Sequence, residues 1–495
     1  MAVNAEEGKE GEEVEEGEEG EEGQSALPRN GSHREKASGA RPLLLALLLV
    51  RCSPTAPWNV EEEIAVRTFA RKTTPATRCR GADGRPWKVL DVGGRVVNGF
   101  SGGTHGTRAI FERMGCAYVC MDISNGTGVD IVQEPGKPFP FGEQHFDVVV
   151  TISTFEHDPM YWVTIREMAR VTRVGGYVYV NTPSTGKYHP WPGDCWRHLG
   201  DSGAALALWC GTSFAGVPAY PLALLEARFD RGQWHESISV FRRTSTPAVA
   251  LTVEASGLPC ASGSARTGTC GRRYNASAPL PASGNAAKAI ERFARGLPAP
   301  LNVANGGSRR HARVLRVAGN GSDPEEARVQ LLWDGRDYTY RYLDGRRQPG
   351  APFPFPDGHF DFSIATAVSN DPFHWMTIRE MARTTRLGGK LLVFAASGVY
   401  YPSIGDYVRY YADAAAALAF WCGKPFGDAR PYPLALASVS GGSGAERGLP
   451  STMEFDRTEA PAPWFTIGGL RERGLLQRGP GPDLWRCKRR YSTTP

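Results

Sequence analysis

A chain of 495 residues, 41% of them apolar and with a net charge of +5, is long enough for two or three domains and too apolar to be disordered throughout. The charge is uneven: eleven Glu against one Lys put −10 on the first 24 residues and, from a total of +5, leave +15 on the rest. Repeats of E-E-G cannot bury apolar surface and repel one another, so residues 1–57 read as a disordered acidic tail closed by a short apolar run. That run, Pro42 to Val50, is far shorter than the roughly 20 residues of a membrane span. An acidic flank is wrong for a secretion signal, so the expected compartment is cytoplasmic, with the secretory pathway as the alternative if the run is a signal. The ten Cys include no C-x-x-C pair, and Cys116 and Cys120, at either end of a predicted strand, are expected to be reduced core thiols. No metal site is expected.

From Trp87 to Ser184 the chain alternates strand and helix patterns. Val89 to Val92, Ala117 to Met121, Val148 to Ile152 and Tyr177 to Val180 are short unalternating apolar runs, as strands covered on both faces would be. Met160 to Arg173 is a predicted helix, with Trp162, Ile165, Met168 and Ala169 on one side and Arg166, Glu167, Arg170 and Arg173 largely on the other. The pattern is that of a doubly wound α/β unit, whose ligand sits outside the carboxyl ends of the strands.

The second half repeats the first. Met160 begins M-Y-W-V-T-I-R-E-M-A-R-V-T-R-V-G-G and Phe373 begins F-H-W-M-T-I-R-E-M-A-R-T-T-R-L-G-G, with twelve of seventeen positions identical. The correspondence runs on through Gly193 and Gly405, and back through P-F-P-F at Pro138 and Pro352 to V-L-D-V-G-G at Val89 and V-L-R-V-A-G at Val314. A period above 200 residues marks duplicated domains and not a solenoid. The expected organisation is a domain at 58–245, an Ala, Ser, Gly and Pro-rich flexible linker at 246–300, and a second domain at 301–495.

The glycine turn after an Asp-containing first strand, the acid ending the second, P-F-P-F before F-D-V-V-V-T, and the E-H beyond that strand carry a resemblance. The first copy resembles class I S-adenosylmethionine-dependent methyltransferases of the broad type 11 group. It is similar to a subset of them through Asn98-Gly, G-V-D-I at Gly128, Y-H-P-W-P-G-D-C-W-R at Tyr188 and S-V-F-R-R at Ser239. The fold this implies is α/β: two Rossmann-like methyltransferase domains, each a seven-stranded, mostly parallel doubly wound sheet. The sheet would end in an antiparallel hairpin, Leu222 to Phe229 with Glu236 to Phe241.

The expected cofactor is S-adenosyl-L-methionine. Gly93 and Gly94 provide a glycine turn without the G-x-G-x-x-G of a dinucleotide site, so a pyrophosphate is not the expected ligand. Asp91, Asp122 and the stretch around Asp130 fit the amino-acid end, the ribose and the adenine side; turn forming is the alternative for Asp122, Gly93 and Gly94. The resemblance calls for an acid just after D-I-V, where this chain reads Q-E-P-G-K, so Gln133 or Glu134 would have to serve. His157 is the candidate general base for an acceptor hydroxyl; alternatively, Glu156 and His157 shape the cofactor pocket. His189, Asp194, Arg197 and His198 are candidate acceptor contacts, with a structural network as their alternative. In the second copy Arg316 and Ala318 replace Asp91 and Gly93, and E-H becomes V-S-N-D-P, which reads as a lost cofactor site on a kept scaffold, packed on the first copy or bearing acceptor contacts. The function expected is methyl transfer to a hydroxyl of a sugar, glycan or small molecule, with a non-catalytic scaffold as the alternative. D/N-P-P-Y/F motifs and aromatic-rich basic runs are missing from the sequence, so no nucleic-acid partner is expected.

Overall fold

The computed structural model describes residues 60–73, 79–96, 104–184, 186, 188, 193–229, 236–247, 290–295, 297, 312–317, 333, 338–343, 350–366, 368–395, 406–411, 413–440, 451–461, 476–478 and 485–487. The acidic tail, the run Pro42 to Val50, Asn98, His189, Ala318 and most of the expected linker lie outside them. Helix α1 (Val60–Thr73) is followed by β1 (Lys88–Val92), α2 (Thr104–Arg113), β2 (Ala117–Asp122), β3 (Ile131–Val132), β4 (Phe146–Ile152), α3 (Tyr161–Val171), β5 (Thr172–Thr182), β6 (Trp196–His198), α4 (Ser202–Cys210), β7 (Leu222–Phe229) and β8 (Ser237–Arg243). All but β6 form one sheet in the order β3-β2-β1-β4-β5-β8-β7, parallel from β3 to β5 and ended by the antiparallel strands β8 and β7. The central strands are largely apolar because they are covered twice: Leu90 and Val149 face the core beneath α3 and α4, while Val89 and Val148 face the one beneath α1 and α2.

The second half builds β9 (Ala312–Val317), β10 (Tyr338–Leu343), β11 (Phe360–Thr366), α5 (His374–Thr384), β12 (Thr385–Ala395), β13 (Val408–Tyr410), α6 (Ala414–Cys422), β14 (Leu434–Ser440) and β15 (Ser451–Arg457). Its six-stranded sheet has the order β10-β9-β11-β12-β15-β14, that of the first sheet without a counterpart of β3 among the described residues. The helical residues 290–295 belong with it, since Ile290, Phe293, Ala294 and Leu297 pack on Val314, Phe362 and Ile364. Among the described residues no helix is long and apolar enough to cross a membrane.

The repeated helix is used alike in both halves. Arg166, placed by its periodicity on the polar face, is buried instead, and its guanidinium donates to the carbonyls of Trp209, Thr212 and Pro218 at 2.7–3.0 Å while lying over the Trp209 ring. Arg379 does the same to Trp421, Lys424 and Arg430. Glu167 accepts the Phe139 N–H at 2.7 Å and Glu380 that of Phe353, and the two P-F-P-F segments are docked in this way. A charged group taken out of water needs such partners, and an amphipathic pattern cannot show that they exist.

Both helices meet at a seam. Trp162 stacks on Trp375, its counterpart in the repeat, with centroids 5.0 Å apart and planes 7° from parallel. Trp421 and Trp209 close the ring edge-on at 5.5 and 5.4 Å, and the Tyr161 hydroxyl meets His374 Nε2 at 2.8 Å. Beside them β6 and β13 pair antiparallel with Arg197 opposite Arg409, which is the register of a local twofold. One hydrophobic cluster consequently runs through both halves.

A further difference from expectation is covalent. Cys116 is bonded to Cys79 across 37 residues, while Cys120, Cys195, Cys210 and Cys422 are buried thiols.

Replacing Trp375 by Ala opens a cavity in the middle of the seam and should lower unfolding stability by about 3–5 kcal/mol. Urea unfolding followed by tryptophan fluorescence and by circular dichroism measures it; a change near zero would remove the stack from the core of the fold.

Candidate active site

The chain runs from β1 outward to β2 and β3, then returns to the other side of β1 for β4 and β5, so the loops after β1 and β4 flank the point where an open sheet takes its ligand. Asp91, near the end of β1, is 2% exposed. The hydroxyl of Tyr118 on β2 donates to its Oδ2, whereas its buried Oδ1 has no hydrogen-bond partner among the described residues. Burial pushes this carboxyl up to about 7, opposed by the Tyr118 hydrogen bond and the Arg108 charge and reinforced by the charge of Asp122. Burial first, and then Asp91, raises the Tyr118 phenol well above its ordinary value, so it stays a donor.

The glycine pair is demanded by space. Gly93 has φ +79°, and a Cβ there would lie 2.2 Å from the Thr154 side chain; at Gly94 a Cβ would lie 2.6 Å from Asp91 Oδ2. Asp122 ends β2 with its carboxylate met by the N–H of Ser124 at 2.9 Å and of Arg95 at 3.3 Å, and with Arg95 Nε at 3.8 Å. It shapes the turn and flanks the crevice at once. Asp130 is placed elsewhere: it accepts from Cys120 N at 2.7 Å and pairs with Arg108 at 2.6 Å on the edge of β2 away from β1. The expected adenine-side role therefore gives way to a latch between β2 and α2. Gln133 likewise closes its own loop, donating to the carbonyls of Lys137 and Pro138.

Beyond β4, Ser153 takes φ +46°, a conformation seldom adopted by a non-glycine residue, and sends the chain into the turn that carries Glu156 and His157. The His157 N–H donates to Thr154 O at 2.9 Å, and Nδ1 abuts the Gly193 carbonyl. A carbonyl only accepts, so Nδ1 carries the proton and the neutral ring keeps Nε2 as its basic nitrogen. Glu156 Oε1 lies 3.6 Å from Nε2, its carboxylate being 3% exposed against 17% for the imidazole. A basic nitrogen beside a buried carboxylate can take up a proton and hold the imidazolium that results.

The expected acceptor contacts are sorted differently. Asp194, Arg197 and His198 are all buried, with Arg197 paired to Asp194 and His198 against the Tyr161 ring at 4.6 Å. They belong to the seam formed by β6 and β13, and the expectation that they face an acceptor is corrected. Burial, followed by the neighbouring Arg197 charge, lowers His198 to about 3, so it is neutral.

Four residues at the strand ends escaped the sequence reading. Tyr118 and Thr154 touch Asp91 and the Gly93 turn, while Asn181 and Thr182 end β5 with buried side-chain polar atoms that have no partner among the described residues. The repeat held the signal for the second pair: N-T stands where the other half has Phe394 and Ala395.

Residues 100–180 match the model of the methyltransferase domain family. No curated protein matches the chain. Among solved structures it is similar to a protein of Galdieria sulphuraria assigned as a sarcosine dimethylglycine methyltransferase, at 16% identity and TM-score 0.20 over 26% of this chain and 48% of that one. It thus spans about half the length of that protein. It is also similar to the 1,6-didemethyltoxoflavin N1-methyltransferase of Burkholderia thailandensis, at 14% identity and TM-score 0.27 over 42% of this chain and 93% of the other. The phosphoethanolamine N-methyltransferase 2 of Haemonchus contortus is 12% identical, with TM-score 0.24, over 68% of this chain and 77% of its own.

The folded chain holds the Asp91 carboxyl near 7 against an ordinary 3.8, and between those values it binds more protons than the unfolded chain does. Stability should therefore fall as pH rises from about 4 to about 7. Asp91→Asn, which keeps the shape and the acceptor for Tyr118, should flatten that slope in urea titrations. An unaltered slope would mean that Asp91 is ionised as freely as in water.

Proposed function

We propose that the first half binds S-adenosyl-L-methionine and directs its methyl group to a hydroxyl of a sugar, glycan or other small molecule, and that the second half is not catalytic. The observation that carries this reading is the Asp91 carboxylate, buried beside a glycine turn with one oxygen lacking a partner among the described residues, at the strand ends of a domain matched by the methyltransferase family. A buried charge acceptor left open in this way suits a ligand ammonium. Asp122 would hold the ribose hydroxyls, and the side-chain-free backbone of Gly93 and Gly94 would let the ligand lie close. When bound, the cofactor supplies an electrophilic methyl on a sulfonium.

The chain's own part is positioning and proton transfer. His157 Nε2 takes the proton of the acceptor hydroxyl as that oxygen attacks, the Gly193 carbonyl keeps Nδ1 protonated, and Glu156 stabilises the imidazolium. In the second half Arg316 is buried where Asp91 stands in the first, and Phe394 fills the place of Asn181, which supports its having no such site. The Cys79–Cys116 disulfide supports an oxidising compartment over the cytoplasmic expectation.

Calorimetry of the full chain with S-adenosylhomocysteine tests the binding. Asp122→Ala should weaken it by about 1.5–3 kcal/mol, the usual worth of hydrogen bonds to a charged group. A folded chain that does not bind at all would be a non-catalytic scaffold.

His157→Ala should leave that affinity nearly unchanged and cut turnover by about 10² to 10⁴, the range for positioned proton transfer. Release of S-adenosylhomocysteine across a panel of glycans and small hydroxylated acceptors is the readout. Wild-type turnover in the variant would end the general-base assignment.

A further inference from the structure

The seam carries two kinds of contact. Some are reciprocal: Asp406 N donates to Asp201 Oδ2 at 2.9 Å, and at the matching place Asp194 N donates to Asp413 Oδ2 at 2.8 Å. Asp201 and Asp413 stand at the N-caps of α4 and α6, where an aspartate ordinarily accepts from its own helix, yet neither side chain makes that bond. Each reaches instead into the opposite half.

Other contacts have no mirror among the described residues. Asp413 Oδ2 also accepts the Tyr188 hydroxyl at 2.9 Å, and the Tyr411 hydroxyl donates to Gly186 O at 2.5 Å. The Tyr411 ring lies under the Arg197 guanidinium at 3.9 Å, whereas its N–H donates to Cys195 O at 2.8 Å just as the Leu199 N–H donates to Tyr407 O at 3.0 Å. The position matching Tyr411 in the first half is Leu199, which has no hydroxyl to return the favour. These contacts flank Gly193, with Gly186 and Tyr188 before it and Asp194, Cys195 and Arg197 after it, and the Gly193 carbonyl receives His157 Nδ1. Tyr188 is suited to its part because burial, then the charge of Asp413, keeps its phenol protonated.

We propose that the second half serves the first as a positioning element: Tyr411 and Asp413 anchor Gly186, Tyr188 and Asp194, and thereby set the Gly193 carbonyl that fixes the tautomer of His157. Its use in catalysis rests on the reading of His157 as the base; the positioning itself does not. A duplicated half that has no ligand of its own is then retained for the side chains it lends to the working site.

The test is histidine ¹⁵N spectroscopy on the full chain, with the His157 signals assigned by their loss in His157→Gln. Wild type should show Nδ1 protonated at neutral pH. Tyr411→Phe, which keeps the ring under Arg197, and Asp413→Asn should each shift the tautomer ratio toward Nε2 protonation roughly fivefold, the effect of weakening one ordinary hydrogen bond. Asp201→Asn is the control: it breaks the mirror contact to Asp406, loses comparable stability, and should leave the His157 signals as they were. An unchanged tautomer in both Tyr411→Phe and Asp413→Asn, or an equal change in Asp201→Asn, overturns the proposal. If either variant fails to fold, Tyr188→Phe removes the same anchor from the first half and is read in the same way. Failure of the wild-type chain to bind S-adenosylhomocysteine would sink the methyltransferase reading and leave the tautomer comparison decisive for this one.

Discussion

The stack of Trp162 on Trp375 is the contact from which the arrangement of the two halves follows. Two large flat rings removed from water bring a substantial hydrophobic contribution, and Trp421, Trp209, Tyr161 and His374 meet them edge-on, the geometry that the ring quadrupoles favour. Once those rings face each other, α3 and α5 each have a sheet on one side and a mate on the other. A helix buried on so much of its surface cannot keep a polar face in water. Arg166 and Arg379 are therefore inside, and the loops after α4 and α6 turn their carbonyls toward them.

This division explains how the halves share a scaffold and differ at their strand ends. Seam residues sit on helix faces and on β6 and β13, whereas crevice residues sit at the carboxyl ends of β1, β2, β4 and β5. An exchange at a strand end leaves the seam intact. Arg316 stands in β9 where Asp91 stands in β1, each in register with its two neighbouring strands, so opposite charges occupy equivalent places without disturbing the sheet.

Much of the fold was legible because burial on both faces imposes unalternating apolar strands: four runs foresaw β1, β2, β4 and β5, and the hairpin Leu222–Phe229 with Ser237–Arg243 lies where the resemblance put it. Asp91, Gly93, Gly94, Asp122, Glu156 and His157 gather around β1 and β4 for the same reason, since strand ends are fixed once the strands are. Periodicity could not reveal what depends on partners distant in sequence. Arg166 looked like surface because its four carbonyl acceptors lie more than forty residues away. Arg197 and His198 looked like acceptor contacts because polar residues after a strand usually face solvent, and only the pairing of β6 with β13 shows them enclosed.

The disulfide is the clearest case of a distant constraint acting on the site. Cys79 and Trp87 bracket a small turn closed by Arg80 and Pro86, the Trp87 N–H donates to Cys79 O at 2.7 Å, and the Ala117 N–H donates to Trp87 O at 2.8 Å. Bonding Cys116 to Cys79 thus ties together the amino ends of β1 and β2, on the side opposite the crevice. It holds the register in which Lys88 faces Ala117 and Asp91 faces Cys120. A slip of one residue would turn Tyr118 to the other face of the sheet and take its hydroxyl from Asp91, leaving that carboxylate with neither of its oxygens bonded. The covalent link at one end of the sheet thus reinforces the register that orders a buried acid at the other. Nothing in the local pattern around Cys79 or Cys116 announces that link, because it is made by chain closure over 37 residues and not by neighbours.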